Sequence, residues 1–218
     1  MLRILIALAL LFAIAACDSG MVDPPAEDPP AEDPIPSSPF YPLMVGNVWE
    51  YELRAATSCT TFSEVYGYRR RSVEEEVSAG GKDAYRVRTE LFNTEGALNH
   101  TWADTFRYDA ETSRVAAWRR GSWIEASCPL DAEPGSVVQC AEHYRVSEST
   151  EWEGEIGGTP VSGTWRRYGA LEIIIGWAEY VNGLGLISHG ELYECVGGRG
   201  DLRYAVVGDW EVGASGLD

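Results

Sequence analysis

The chain past residue 40 reads as an all-β domain. Apolar and polar residues alternate over short runs, the signature of half-buried strands. Glycine-containing turns punctuate those runs. About ten runs follow one another closely, joined mostly by short turns, so the expected architecture is an antiparallel meander. Such a meander folds into a curved sheet, a half-open barrel or a sandwich.

Val48-Trp49-Glu50-Tyr51-Glu52-Leu53 is the first alternating run. The stretch Tyr68 to Val77 contains Arg69-Arg70-Arg71 and Glu74-Glu75-Glu76. Arg70–Glu74 and Arg71–Glu75 have helical i,i+4 spacing, but Val73, Glu75 and Val77 alternate and β-branched valines favour a strand. We read it as a strand whose charge blocks form a solvated face. Ala84 to Leu91 alternates after the hairpin turn Ala79-Gly80-Gly81-Lys82-Asp83. Thr101 to Tyr108 places Trp102, Phe106 and Tyr108 on one parity. Val115 and Ala117 follow, then Trp123 to Ala126, His143 to Glu155 and Thr164 to Tyr168. Leu171 to Val181 is the most apolar run, with Gly176 marking a bulge or bend. Leu184 to Tyr193 and Asp201 to Val207 complete the series. Arginines and acids fall on both parities of most runs, unlike the lipid-facing parity of an outer-membrane barrel.

The first 39 residues have a different character. Arg3 precedes an apolar run from Ile4 to Ala16, followed by Cys17 and the polar Asp18-Ser19-Gly20. Thirteen apolar residues fall short of the about 20 that span a bilayer as a helix, but they fit the core of a cleaved signal with small residues before the cut. Residues 18–39 carry six acids, no basic residue and the tandem repeat PPAED. That composition cannot bury enough apolar surface to fold. Proline and like charge stretch it, at about 3.1 Å per residue, to a reach of roughly 70 Å. The expected organisation is a signal peptide at 1–16, Cys17 with a disordered tether at 17–39, and one β domain at 40–218.

The formal charge of the whole chain is −17, and 28 acids face 16 arginines and lysines past residue 39. Such a balance excludes nucleic acid as a partner, since phosphate neutralisation needs basic surface. No cofactor or metal is expected. His100, His143 and His189 stand singly, without the spacing of a metal site. His189 and Glu191 share one strand face, and a solvated pair there outweighs an acid–base pair. Arg199-Gly200-Asp201 is explained by a glycine-rich turn. Trp118, Trp123, Trp152, Trp165 and Trp177 fill a curved-sheet core or line a concave face for a lipid or glycan.

Apart from Cys17, the chain has Cys59, Cys128, Cys140 and Cys195. An even number in an oxidising compartment argues for two disulfides, with three possible connectivities. The favoured set is Cys128–Cys140, closing a short Pro/Gly-containing loop, with Cys59–Cys195 joining the early and late parts of the domain.

Ile14-Ala15-Ala16-Cys17 resembles the lipobox of bacterial lipoproteins. The resemblance implies cleavage before Cys17, a diacylglyceryl thioether on its sulfur, acylation of the new N-terminus (palmitate or a similar chain) and a membrane tether in the cell envelope. Asp18 resembles the inner-membrane retention signal of some bacteria, and the choice of membrane stays open. Phe40-Tyr41-Pro42-Leu43-Met44-Val45-Gly46-Asn47-Val48-Trp49-Glu50-Tyr51 resembles the PLxxGxxWxY opening of uncharacterised all-β envelope lipoproteins. Tyr180-Val181-Asn182-Gly183-Leu184-Gly185-Leu186-Ile187 is similar to their late GxGLV segment. That resemblance implies no activity. The expected function is a lipid-anchored envelope lipoprotein whose β domain is non-catalytic and binds an envelope protein, lipid or glycan, or is purely structural. A secreted hydrolase with a dispersed site is the alternative.

Overall fold

A computed structural model describes residues 38–58, 61–140, 143–170, 175–193 and 196–217. The chain divides into two compact units, Met1–Pro34 and Ile35–Asp218. The first unit, with the expected signal peptide, Cys17 and most of the tether, lies outside the described residues, as do Cys59 and Cys195.

The second unit is all-β and antiparallel. Its strands are β1 (Val48–Ala56), β2 (Phe62–Ala79), β3 (Lys82–Phe92), β4 (Leu98–Asp109), β5 (Arg114–Arg119), β6 (Ser122–Glu125), β7 (Val137–Cys140), β8 (His143–Ile156), β9 (Thr159–Ala170), β10 (Ile175–Val181), β11 (Gly185–Tyr193), β12 (Val196–Val207) and β13 (Trp210–Gly213). One sheet runs in the order β6-β5-β4-β3-β2-β1-β12-β11-β10-β9-β8-β7, with β13 added to β12. It curls into a nearly closed barrel with one seam, between the β5–β6 edge and the β7–β8 edge. The only non-sequential pairing in this order is β1 with β12, so a meander from each terminus meets at the middle of the sheet.

Local chemistry sets the hairpins. The β2–β3 turn is Gly80-Gly81 between paired Ala79 and Lys82, with φ of 57° and 73°. Positive φ at both central positions gives the turn whose twist matches the flanking strands, and glycine adopts it without strain. The 68–77 stretch is strand throughout. Its charge blocks pair across the sheet instead of along a helix: Glu74 with Arg88 at 2.5 Å and Glu75 with Arg86 at 2.6 Å. Two short strands escape the alternation pattern. β7 and β13 have four residues each, too few to show a period. In β10, the register shift falls between Glu179 and Tyr180 rather than at Gly176.

The two quoted sequence segments meet in space. Leu43 is buried beneath the barrel, and Gly46 turns the chain at φ 95°. Trp49 Nε1 donates to the Leu184 carbonyl at 2.8 Å, and Tyr51 Oη donates to the Leu186 carbonyl at 2.9 Å. The Gly183 amide returns a bond to the Pro39 carbonyl at 2.7 Å. A Cβ on Gly185 would press on Pro42 and Trp49, at 3.2 and 3.4 Å. Asn47, buried, donates from Nδ2 to Pro42 and accepts at Oδ1 from the Gly208 amide. Leu43, Trp49 and Tyr51 of this latch belong to one buried cluster with Val73, Val115, Tyr168 and Val181.

On the outer face, Glu50 is fully buried under the C-terminal residues. Its Oε1 accepts from Arg70 Nε and Nη2 at 2.9 and 2.6 Å, and Ser215 Oγ donates to both of its oxygens. Arg70 also donates to the Leu217 carbonyl. A buried carboxylate this well paired is secure, whereas removing one partner would strand its charge.

Residues 126–136 bridge the seam. On one side the Ala126 and Leu130 amides donate to the carbonyls of Val115 and Ser113, and Ser127 Oγ accepts from the Val115 amide. On the other, Gly135 donates to the Ser147 carbonyl, and Tyr168 and Arg166 donate to the Pro129 and Leu130 carbonyls. Cys128 and Cys140 are disulfide-bonded, with Cα atoms 4.4 Å apart. The bridge ties the strap to β7.

Replacing Cys128 and Cys140 together with serine is expected to lower unfolding stability by about 3 kcal/mol in urea titrations. Closing a loop of 12 residues removes roughly that much entropy from the unfolded chain. An unchanged midpoint would mean that the backbone bonds of the strap hold the seam without the bridge. The β1–β12 register places Ala55 opposite Gly198, so the chain approaching Cys59 leaves the sheet beside the chain arriving from Cys195. Non-reducing peptide mapping is expected to recover Cys59 joined to Cys195. Recovery of Cys59 with Cys128 or Cys140 would refute the pairing.

Candidate ligand-binding site

The barrel is hollow next to the latch, where Tyr41, Tyr180 and Leu186 line a cavity. Two cavities there share the side chains of Arg69 and Trp102 as walls. The inner one, about 270 Å³, is lined by Tyr41, Arg69, Arg71, Thr89, Trp102, Asp104, Phe106, Arg119, Ser127 and Leu186, among others. The outer one, about 490 Å³, is lined by Leu53, Tyr66, Arg69, Leu91, Trp102, Trp177, His189, Arg199 and the glycines at 190, 198 and 200. Its lining comes from the ends of β1, β3 and β11 and the starts of β2, β4, β10 and β12, so it is the mouth of the barrel. Volumes of this size match small-molecule sites.

Strand parity places these groups. Arg69 and Arg71 lie on the same side of β2 as buried Val73. Trp102 and Asp104 share the face of β4 that carries buried Phe106. Glycine lets flat rings lie on the sheet: a Cβ on Gly190 would meet the Trp177 ring at 2.3 Å, and one on Gly200 would meet the His189 ring at 2.4 Å. These are cross-strand pairs, Trp177 with Gly190 and His189 with Gly200.

The electrostatics are unusual for so acidic a chain. Arg69 and Arg71 are enclosed by protein yet keep part of their surface open to the cavity. Among the described residues neither has a carboxylate within ion-pair distance. Arg69 lies 4.8 Å from the Tyr51 ring centroid and donates from Nη2 to His189 Nε2 at 2.8 Å. Arg71 lies 5.2 Å from the Phe106 ring centroid and 5.8 Å from that of Tyr41. Asp104, the acid of the inner cavity, accepts from Trp102 Nε1 at 3.0 Å. Burial lowers the pKa of Arg69. Burial also opposes the charge of Arg71, but the Tyr41 and Tyr51 hydroxyls and Asp104 outweigh it and leave the pKa raised. Both stay protonated, as guanidinium groups do in proteins. Burial pushes the Tyr51 phenol up to about 12. Burial first, then the Arg69 and Arg71 charges, bring His189 down to about 3. It is therefore neutral at physiological pH. Because Nε2 accepts from Arg69, the ring proton is assigned to Nδ1. That Nδ1 and Arg69 Nε are both buried without a hydrogen-bond partner.

The arrangement receives anions better than it performs hydrolysis. His189 Nε2 is occupied by Arg69. Ser127 Oγ accepts from Val115 N and donates to the Cys128 carbonyl at 2.8 Å each. So the serine and histidine of these cavities form no nucleophile–base pair. No group of three or more metal-ligating side chains occurs among the described residues.

The structure redistributes the residues singled out from sequence. Of the five tryptophans considered for a concave face, only Trp177 lines the cavities, joined by Trp102. Trp118 and Trp123 stack on each other, centroids 5.3 Å apart. Trp152 and Trp165 pack on the core. The Glu191 side chain lies outside the described residues, so its pairing with His189 is not seen. Arg199-Gly200-Asp201 is extended in β12 rather than in a turn, with Arg199 Nε bonded to Asp201 Oδ1 at 2.6 Å. Arg69 and Arg71, read as part of a solvated face, face inward. The signal was available: both share parity with Val73.

Acid stability tests the state of His189. The unfolded ring has a pKa near 6.5, whereas the folded one lies near 3. The unfolded state therefore binds more protons between those values, and stability falls as pH drops through that window. His189→Gln is expected to remove this component. From about pH 6.5 to pH 5 the wild type should lose about 2 kcal/mol more than the variant in urea titrations. Parallel pH profiles would show that His189 takes up a proton in the folded state.

No family model matches the chain, and no curated protein matches it. Two solved structures are similar in fold. One is a Bacteroides fragilis protein described as exported, with a YmcC-like fold. It has a TM-score of 0.49 and 9% identity, covering 78% of this chain and 100% of that one. The other is described as a lipoprotein of Parabacteroides distasonis, with a TM-score of 0.43 and 11% identity, again over 78% of this chain and 100% of that one.

Proposed function

We propose that the protein is a lipid-anchored lipoprotein of the bacterial cell envelope whose β domain is a non-catalytic binding module. The lipobox-like Ile14-Ala15-Ala16-Cys17 and the acidic, proline-rich 18–39 segment support the anchor and tether. One acyl chain gives marginal membrane binding, and two or more make it stable, so acylation at the sulfur and at the new N-terminus would hold the domain at the membrane surface. The observation that carries the binding reading is the pair of cavities in the barrel, walled by Arg69, Trp102 and Trp177. A purely structural module has no need of a hollow core, because apolar filling would stabilise it further.

Two measurements test the proposal. Cys17→Ala is expected to abolish incorporation of labelled palmitate and to release the protein from the membrane fraction. Unchanged labelling would overturn the anchor. Native mass spectrometry of the Cys17→Ala protein, extracted from cells without detergent, is expected to show a co-purifying small molecule that departs on activation. Trp102→Ala should reduce its occupancy several-fold. A mass equal to the bare polypeptide under all gentle conditions would favour the structural reading.

A further inference from the structure

Given the binding role proposed above, we propose that the cavity takes an anionic amphiphile, a molecule with one carboxylate or phosphate head on an apolar body, its head held by Arg69 and Arg71. The head lies at the inner cavity and the body extends through the mouth over Leu53, Leu91, Trp102 and Trp177.

Charge is the first argument. The guanidinium groups of Arg69 and Arg71 stand in one enclosed space with no carboxylate within ion-pair distance among the described residues; Asp104, on the same cavity, favours the Arg71 charge from farther off. An isolated buried charge is unfavourable unless something pairs with it, and the domain has 28 acids from which to draw partners. Arg70, between them in sequence, has such a partner in Glu50. The inward pair does not. An incoming anion would supply the missing charge, and guanidinium forks suit both carboxylate and phosphate.

Hydrogen bonding is the second, independent argument. Arg69 Nε and His189 Nδ1 are N–H groups without an acceptor. Buried orphan donors are rare and unfavourable. His189 stays neutral beside the arginines, so it adds a donor without adding charge. Arg69 walls both cavities and His189 borders the outer one, so a head seated where the two cavities meet would lie next to these donors and would meet them after a small shift of the Arg69 side chain.

The third argument separates an amphiphile from a bare anion or a sugar. Around the mouth, Leu53, Leu91 and the rings of Tyr66, Trp102 and Trp177 surround a floor of glycine backbone. The floor has no side-chain amides and no carboxylates, which would be needed to satisfy a ring of sugar hydroxyls. A free inorganic anion would leave this apolar surface wet.

Binding to the full mature domain, carrying Cys17→Ala to keep it in solution, is measured by tryptophan fluorescence and calorimetry, below micelle-forming concentrations. The probes are dodecanoate, dodecyl phosphate, dodecanol and inorganic phosphate. Dodecanoate or dodecyl phosphate should bind at least ten times more tightly than dodecanol, and inorganic phosphate more weakly still. Whichever of the two anions binds tighter identifies the source, fatty acid or phosphorylated lipid. Arg69→Gln should bring the anion down to the level at which dodecanol binds the same variant, and Arg69→Lys should restore most of the difference. Arg71→Met should act in the same direction. If it fails to fold, as judged by circular dichroism, the Arg69 pair decides. Equal binding of dodecanol and dodecanoate would overturn the anionic head while leaving a ligand cavity standing. Tighter binding of inorganic phosphate than of either amphiphile would overturn the apolar body. No binding of any probe would overturn both this inference and the binding reading on which it rests.

Discussion

The latch between β1 and the β10–β11 turn is the constraint on which the remaining architecture depends. Trp49 and Tyr51 reach past β12 to two carbonyls, at Leu184 and Leu186. They brace the β1–β12 pairing at which the two meanders join. Each bond alone contributes about 1 kcal/mol. The rings carry more, because both are almost fully buried and large aromatics dominate core energetics. With the latch seated, its apolar side chains join the buried cluster. The cavity beside it can then remain hollow without loss of a fixed shape.

That division explains how a small domain tolerates cations in its interior. Arg69 and Arg71 sit where the buried cluster gives way to the cavity, over the rings of Tyr51, Tyr41 and Phe106. Cation–π contact recovers about 0.5–2 kcal/mol per site, less than full pairing with a carboxylate would. The unpaired charge is thus a local weakness held in place by the global packing, the usual relation between a functional site and the scaffold around it. His189 has the same character. Its neutrality follows from burial beside the two arginines, and it lowers stability in acid.

The sequence made the fold legible because its strands have one buried and one wet face. Val48–Leu53 and Ala84–Leu91 show alternation, and β3 and most of β1 lie where it placed them. The double glycine at 80–81 marked a hairpin through its need for positive φ. Four-residue β7 and β13 were too short to display a period. The site was harder to read. Composition favours the view that three arginines beside three glutamates face water. In strand geometry Arg69, Arg71 and Val73 share a face, so that view holds for Glu75 and Glu76, while Arg70 turns to the outer face and pairs with buried Glu50. Parity carried this information, but only the closure of the sheet makes the face concave. The role of the glycines was similarly hidden: Gly190 and Gly200 look like turn residues, yet they sit in strands as seats for Trp177 and His189.

The opposition between an acidic exterior and a cationic interior bears on how such a site would work. A net charge of −17 over the chain repels a small anion at long range, and at physiological ionic strength that field decays over about 8 Å. Inside the cavity the attraction acts at contact distance, in surroundings of lower dielectric, where added salt screens it much less. Salt should therefore speed the approach of an anion to this protein while barely loosening its hold. That is the reverse of a basic protein, whose surface field both attracts and holds its ligand. Selection between ligands then falls to the mouth. A bare anion faces the outer repulsion with guanidinium groups alone to offset it, whereas an apolar body laid on Leu53, Leu91 and the tryptophans adds about 25 cal/mol for each square ångström removed from water. The apolar contact raises total affinity, and the arginine pair determines which headgroup benefits.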